Sequence, residues 1–94
     1  MTAYEQQIES GKEIVRGILA NLASELHEPK VNELAFKVTD QDFDRGRISL
    51  VDPELNIVAK IEENDLANCP TDKTVGMKLE TQLRRAFYGS KQLA

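Results

Sequence analysis

The sequence predicts an α+β domain, in which a helix, a three-stranded antiparallel meander and a second helix follow one another (αβββα), with both helices on one face of the sheet. Three observations carry this. Apolar residues recur at threes and fours in the first and last thirds of the chain. In the middle third the period drops to two, over short runs rich in β-branched residues. The runs are joined by connections too short for a crossover, so neighbouring strands must be antiparallel. At 94 residues the chain reads as one domain spanning residues 1–94.

The first helix is marked by Tyr4, Ile8, Val15, Ile18, Leu22 and Leu26, with Gly11 filling one position on the same stripe and Ile14, Leu19 and Ala23 widening it. Two start signals have capping-box spacing, Thr2 with Glu5 and Ser10 with Glu13. Gly11 and Gly17 each weaken a helix by about 1 kcal/mol relative to Ala. The expectation is a firm helix over residues 10–26, with residues 1–9 a less stable extension. Pro29 ends it, because proline disfavours helical geometry in the residue before it. His27 then reads as a C-terminal helix residue that suits the dipole.

The strands come next. Leu34, Phe36 and Val38 alternate with Ala35, Lys37 and Thr39; Ile48 and Leu50 share a face; Ile57, Ala59 and Ile61 alternate with Val58, Lys60 and Glu62. The expected inward set is Leu34, Phe36, Ile48, Ile57 and Ile61. Asp44-Arg45-Gly46 suits a short hairpin loop with Gly at positive φ. Asp52-Pro53-Glu54 suits a type I turn, with Asp first and Pro second.

The last helix opens at Pro70-Thr71-Asp72, a capping hydroxyl followed by an acid at the positive end of the dipole. Val75, Leu79, Leu83, Ala86 and Phe87 form its inward stripe, and Gly89 is a stop signal.

Composition excludes more than it assigns. Hydrophobic content of 40% with 30% charged residues is that of an ordered globular chain. No apolar run approaches the ~20 residues needed to span a bilayer. The segment MTAYEQQIES lacks the basic region and apolar core of a signal peptide. Cys69 is the one cysteine, so no internal disulfide forms; together these fit a reducing cytoplasm. Net charge is −4, yet residues 71–94 carry five bases to two acids.

Asp40, Asp42 and Asp44 have the spacing of the first three ligands of an EF-hand loop. Position six is Arg45 rather than Gly, position twelve is Val51, and both flanks read as strands, so the stretch is a hairpin loop and no metal site is predicted. Cys69 lies two residues before the expected cap Thr71, where a thiol can be activated. The lone His27 sits at the far end of the first helix, with no third group to orient it. Glu62, Glu63 and Asp65 read as a solvated loop after the third strand. No nucleotide-binding, zincin or nucleophile-elbow motif occurs. The sequence therefore predicts no enzyme, no cofactor and no catalytic residue.

Lys73, Lys78, Arg84, Arg85 and Lys91 make the last helix basic, with Lys73, Arg84 and Lys91 roughly opposite its apolar stripe. The element order resembles that of the double-stranded RNA-binding domain. That resemblance implies lysines at the start of the last helix, where this chain has Thr71-Asp72-Lys73-Thr74, one lysine and one acid. The expected function is a small non-enzymatic protein-interaction or regulatory module acting by contact. The alternative is nucleic-acid binding through the basic C-terminal helix. The first helix carries more apolar surface than one three-stranded sheet needs, which predicts a homodimer through that helix. Partner contacts are assigned to Tyr4, Ile8 and Val15 on the first helix and to Lys78, Arg84 and Arg85 on the last.

Overall fold

A computed structural model describes residues 2–38 and 46–92, with side chains as far as Tyr88. Helix α1 spans Ala3–Leu26. Its start is Thr2, whose hydroxyl oxygen accepts from the Glu5 backbone N–H at 3.1 Å. The Ser10 signal goes unused and the first turns belong to one continuous helix, tied down by Tyr4, whose hydroxyl donates to Asn64 Oδ1 at 3.1 Å. At the other end His27 adopts φ 54°, ψ 40°. The His27 N–H then reaches the Ser24 carbonyl and the Glu28 N–H the Ala23 carbonyl, a Schellman closure that satisfies two orphan carbonyls. His27 thus closes the helix through its backbone. Pro29 opens a 3₁₀ helix, η1, over Pro29–Glu33, the first-turn position where proline's missing N–H does no harm.

The sheet has the order β1-β2-β3, from Ala35–Lys37, Arg47–Val51 and Ile57–Glu62, antiparallel throughout. Phe36, Leu50 and Ala59 align across it, as do Ile48 and Ile61. Gly46 has the expected positive φ of 63°. The register shifts beside Leu50 and Val51, where Ile57 pairs with Val51 but Ala59 with Leu50, leaving Val58 as the extra residue of a bulge. That one residue breaks the period of two. Ile57, expected inward, is turned out and is 51% exposed.

Where the run Glu62, Glu63 and Asp65 predicts a solvated acidic loop, the structure has a helix. Helix α2 covers Glu63–Asn68, with Glu63 and Asp65 in its first turn, where carboxylates suit the dipole. Helix α3 runs Lys73–Gln92, straight past Gly89. Its cap is Asp72, whose Oδ1 accepts from the Thr74 N–H at 2.9 Å, while the Thr71 hydroxyl donates back to the Asn68 carbonyl.

Both long helices lie on one face of the sheet. Val15, Leu19 and Leu22 of α1, Ile48, Leu50 and Ile61 of the sheet, Leu66 of α2, and Leu79 and Leu83 of α3 form one buried cluster. Gly11 is where α2 meets α1. A Cβ there would lie 1.9 Å from the Leu66 carbonyl oxygen, so only glycine permits this approach. Ile8, Ile14 and Ile18 pack half-buried against the cluster. The broad stripe of α1 is therefore covered within the chain, by α2 and η1 as well as by the sheet. On the strand-one side, Lys12 Nζ and the Arg16 guanidinium each lie 5.5 Å from the Phe36 ring centre, close enough for cation–π attraction.

Candidate functional site

Closing α1 at His27 and restarting the chain as η1 leaves the end of α1, η1, the β2–β3 turn and the last turns of α3 around one depression. It is an open groove of about 730 Å³. Leu26, Val31, Leu34, Val58 and Phe87 supply its apolar lining. Each gets there by a local cause. Val31 and Leu34 stand three apart across η1, and Val58 is the bulge residue.

Carboxylates stand around that lining: Glu28 and Glu33 on one side, Asp52 and Glu54 on the other, against one cation, Lys30. Asp52 organises the turn. Its Oδ1 accepts from the N–H groups of Glu54 at 2.9 Å and Asn56 at 2.8 Å, and Oδ2 accepts from the Asn56 side-chain amide at 3.2 Å. The Asp52 carbonyl accepts from the Leu55 N–H, and its own N–H donates to the Asn56 carbonyl. These donors, the Asn56 N–H first, hold the Asp52 carboxyl below its usual range. Within this hydrogen-bonded turn Leu55 has φ 67°.

Two of the basic residues of α3, Lys78 and Arg84, are engaged inside the chain. Arg84 donates to Glu25 of α1 through two nitrogens, at 2.7 and 3.1 Å, and through Nε to Glu80 at 3.1 Å. Tyr88 adds a hydroxyl to Glu25 at 2.8 Å. Donation from Arg84, then Tyr88, pulls the Glu25 carboxyl down to about 2. Lys78 pairs with Asp65 of α2 at 3.0 Å, and that partner raises its pKa. Arg84 therefore faces α1 rather than the solvent opposite the stripe, and Asp65 belongs to a helix-to-helix ion pair rather than to a loop.

The six predicted contact residues do not form one patch. Val15 is fully buried and so belongs to the core. Ile8 packs against the core, Tyr4 bonds to α2, and Arg84 bonds to α1. Lys78 and Arg85 do come together, lining a shallow depression beside the exposed Met77. The groove itself went unforeseen. The one available signal was the apolar pair Val31 and Leu34 behind Pro29, with acids near Pro29 and on either side of Pro53.

Cys69 is a core residue at the end of α2. Its thiol donates to the Leu66 carbonyl at 3.4 Å and approaches the Gly11 carbonyl at 4.0 Å. Burial, then the nearby Asp65, raises its pKa, the opposite of activation. His27 lies 16 residues along α1 from Gly11, about 24 Å at 1.5 Å per residue, too far to serve as its base. The aspartate loop, with Asp40, Asp42 and Asp44, lies outside the described residues. Among the described residues no group of three or more His, Cys, Asp or Glu could hold a metal ion, and no helix is long and apolar enough to cross a membrane. The chain matches no family model, no curated protein and no solved structure.

Proposed function

We propose that this domain acts by contact, without catalysis, and that its groove takes a cationic segment of another protein that carries apolar anchors. The observation supporting this is the pairing of an apolar lining with a rim of four carboxylates and one lysine. Interfaces gain most of their energy from a few anchors seated in pockets, and rim charges select the partner and speed its arrival. A helix with Leu and Phe on one face and Lys or Arg beside them has both properties.

The test is fluorescence anisotropy with a fluorescein-labelled amphipathic peptide of Lys, Leu and Phe, about 14 residues or ~21 Å long as a helix. Saturable binding that weakens with salt is expected, and it should be reduced by Glu33→Lys and Glu54→Lys. No saturation below about 100 μM, weaker than ordinary transient recognition, would reject the groove, as would binding that neither charge reversal alters.

A homodimer is the second reading, and one observation favours it. Met77 is 68% exposed beside Lys78 and Arg85, which is the chemistry the groove would accept from a second copy. The interface expected on α1 is disfavoured because that stripe is already covered. Sedimentation equilibrium with wild type and Met77→Glu separates self-association from binding to another protein. The nucleic-acid alternative has less support, since Arg84 and Lys78 are already paired with carboxylates.

A further inference from the structure

Leu55 is the least economical residue in the turn beside the groove. Its φ of 67° lies in the left-handed region, where an L side chain is strained and glycine is not. Its side chain is 62% exposed, so packing within the chain does not compensate for that strain. What holds it is the turn: Asp52 accepts hydrogen bonds from Glu54, Leu55 and Asn56 and donates one to Asn56. Strain that the surroundings enforce, on a large apolar side chain presented to water, is the pattern of a contact residue. Its turn neighbours Pro53 and Glu54 both line the groove.

We infer that Leu55, next in the chain to the groove-lining Glu54, is an anchor for the partner segment, held in the turn beside the groove at the expense of the fold's own stability. The inference rests on the groove reading, and it deepens that reading by naming the residue that grips the partner. It carries an unusual signature, because removing the side chain must move stability and affinity in opposite directions. Leu55→Gly and Leu55→Asn relieve the left-handed strain, since both residues tolerate that conformation. Each is expected to raise the melting temperature, Leu55→Gly by about 4 °C for a domain this size. Each is also expected to weaken the Lys/Leu/Phe peptide about tenfold, the effect of truncating an interface anchor. Leu55→Met keeps an apolar side chain and the strain, and is expected to stay within about threefold of wild type, as volume-conserving apolar exchanges usually do.

Thermal melts and peptide anisotropy on wild type and the three variants decide it. Peptide binding that Glu54→Lys weakens but Leu55→Gly leaves unchanged overturns the role of Leu55 alone. Leu55→Gly that melts lower than wild type also overturns it, because the strain would then be absent. Wild type that does not bind the peptide overturns the groove and this inference together.

Discussion

Gly11→Ala is the sharpest test of how this fold is built. The added methyl would sit 1.9 Å from the Leu66 carbonyl oxygen, 2.6 Å from its carbon and 2.9 Å from its Cα. All three are backbone atoms, so no rotamer change can clear them. Restoring an ordinary contact of about 3.5 Å requires α2 to withdraw by roughly 1.5 Å. The withdrawal opens the packing around Leu66, which is fully buried, and around Cys69. Overpacking of this kind costs about 1–3 kcal/mol, and the better helix propensity of Ala returns about 1 kcal/mol. A methyl pressed against rigid backbone belongs at the upper end, so a net loss of about 2 kcal/mol is expected. At about 4–8 °C per kcal/mol for a domain this size, the melting temperature should fall by about 10 °C. Gly17→Ala is the internal control, on the same helix, where the new methyl would meet nothing within 4 Å beyond the local helix backbone. It should raise the melting temperature by about 4 °C or more, because only the propensity term acts. Paired circular-dichroism melts suffice. Gly11→Ala that melts at or above wild type would refute the close approach of α1 and α2.

Three further outcomes are expected. Glu25 has its carboxyl lowered from 4.5 to about 2. Its contribution to stability is therefore full above about pH 4.5 and fades as the pH falls toward 2. The melting-temperature advantage of wild type over Glu25→Gln should shrink across that window, and an advantage independent of pH would count against the Arg84–Glu25–Tyr88 cluster. Asp52→Ala should lower the melting temperature by more than Asp52→Asn, since the amide oxygen can still accept from the Glu54 and Asn56 N–H groups; equal losses would show that the side-chain acceptor does not hold the turn. Duplex RNA should bind no tighter than about 10 μM at physiological salt, well short of specific recognition. Nanomolar gel shifts abolished by Arg84→Ala and Arg85→Ala would restore the nucleic-acid reading.

The fold class, the strand order and the inward stripes of both long helices could be read from the sequence, because each rests on a repeating period that a single irregular residue does not erase. What could not be read depends on single residues or on distant pairs. Val58 adds one residue to a strand, and with a period of two that is enough to turn Ile57 outward. Helix α2 has six residues, too few for a helical period to show, and its acids resembled a loop. Glu25 and Arg84 are 59 positions apart, and nothing local marks them as partners. Arg84 consequently looked like a free cation on an exposed face. Thr2 and Ser10 offered equal capping boxes, and the choice was made by tertiary contacts of the first turns, such as Tyr4 with Asn64.

These misses are connected, and together they move the partner surface. The wide stripe of α1 had implied a second copy, because one sheet could not cover it. Gly11 removes that need by admitting α2 so closely that the flank is closed from within. The same chain economy fails at the opposite end. There α1 closes at His27, η1 begins at Pro29, and the bulge residue Val58 lines the same groove as Phe87. Apolar side chains from four elements are left around an opening that no other element covers among the described residues. Four carboxylates and one lysine line it, while Arg84 and Lys78 of α3 are paired with Glu25 and Asp65. A positively charged, apolar-anchored segment would suit both the lining and the acidic rim, which is why the groove, rather than α1, is the place to look for the partner.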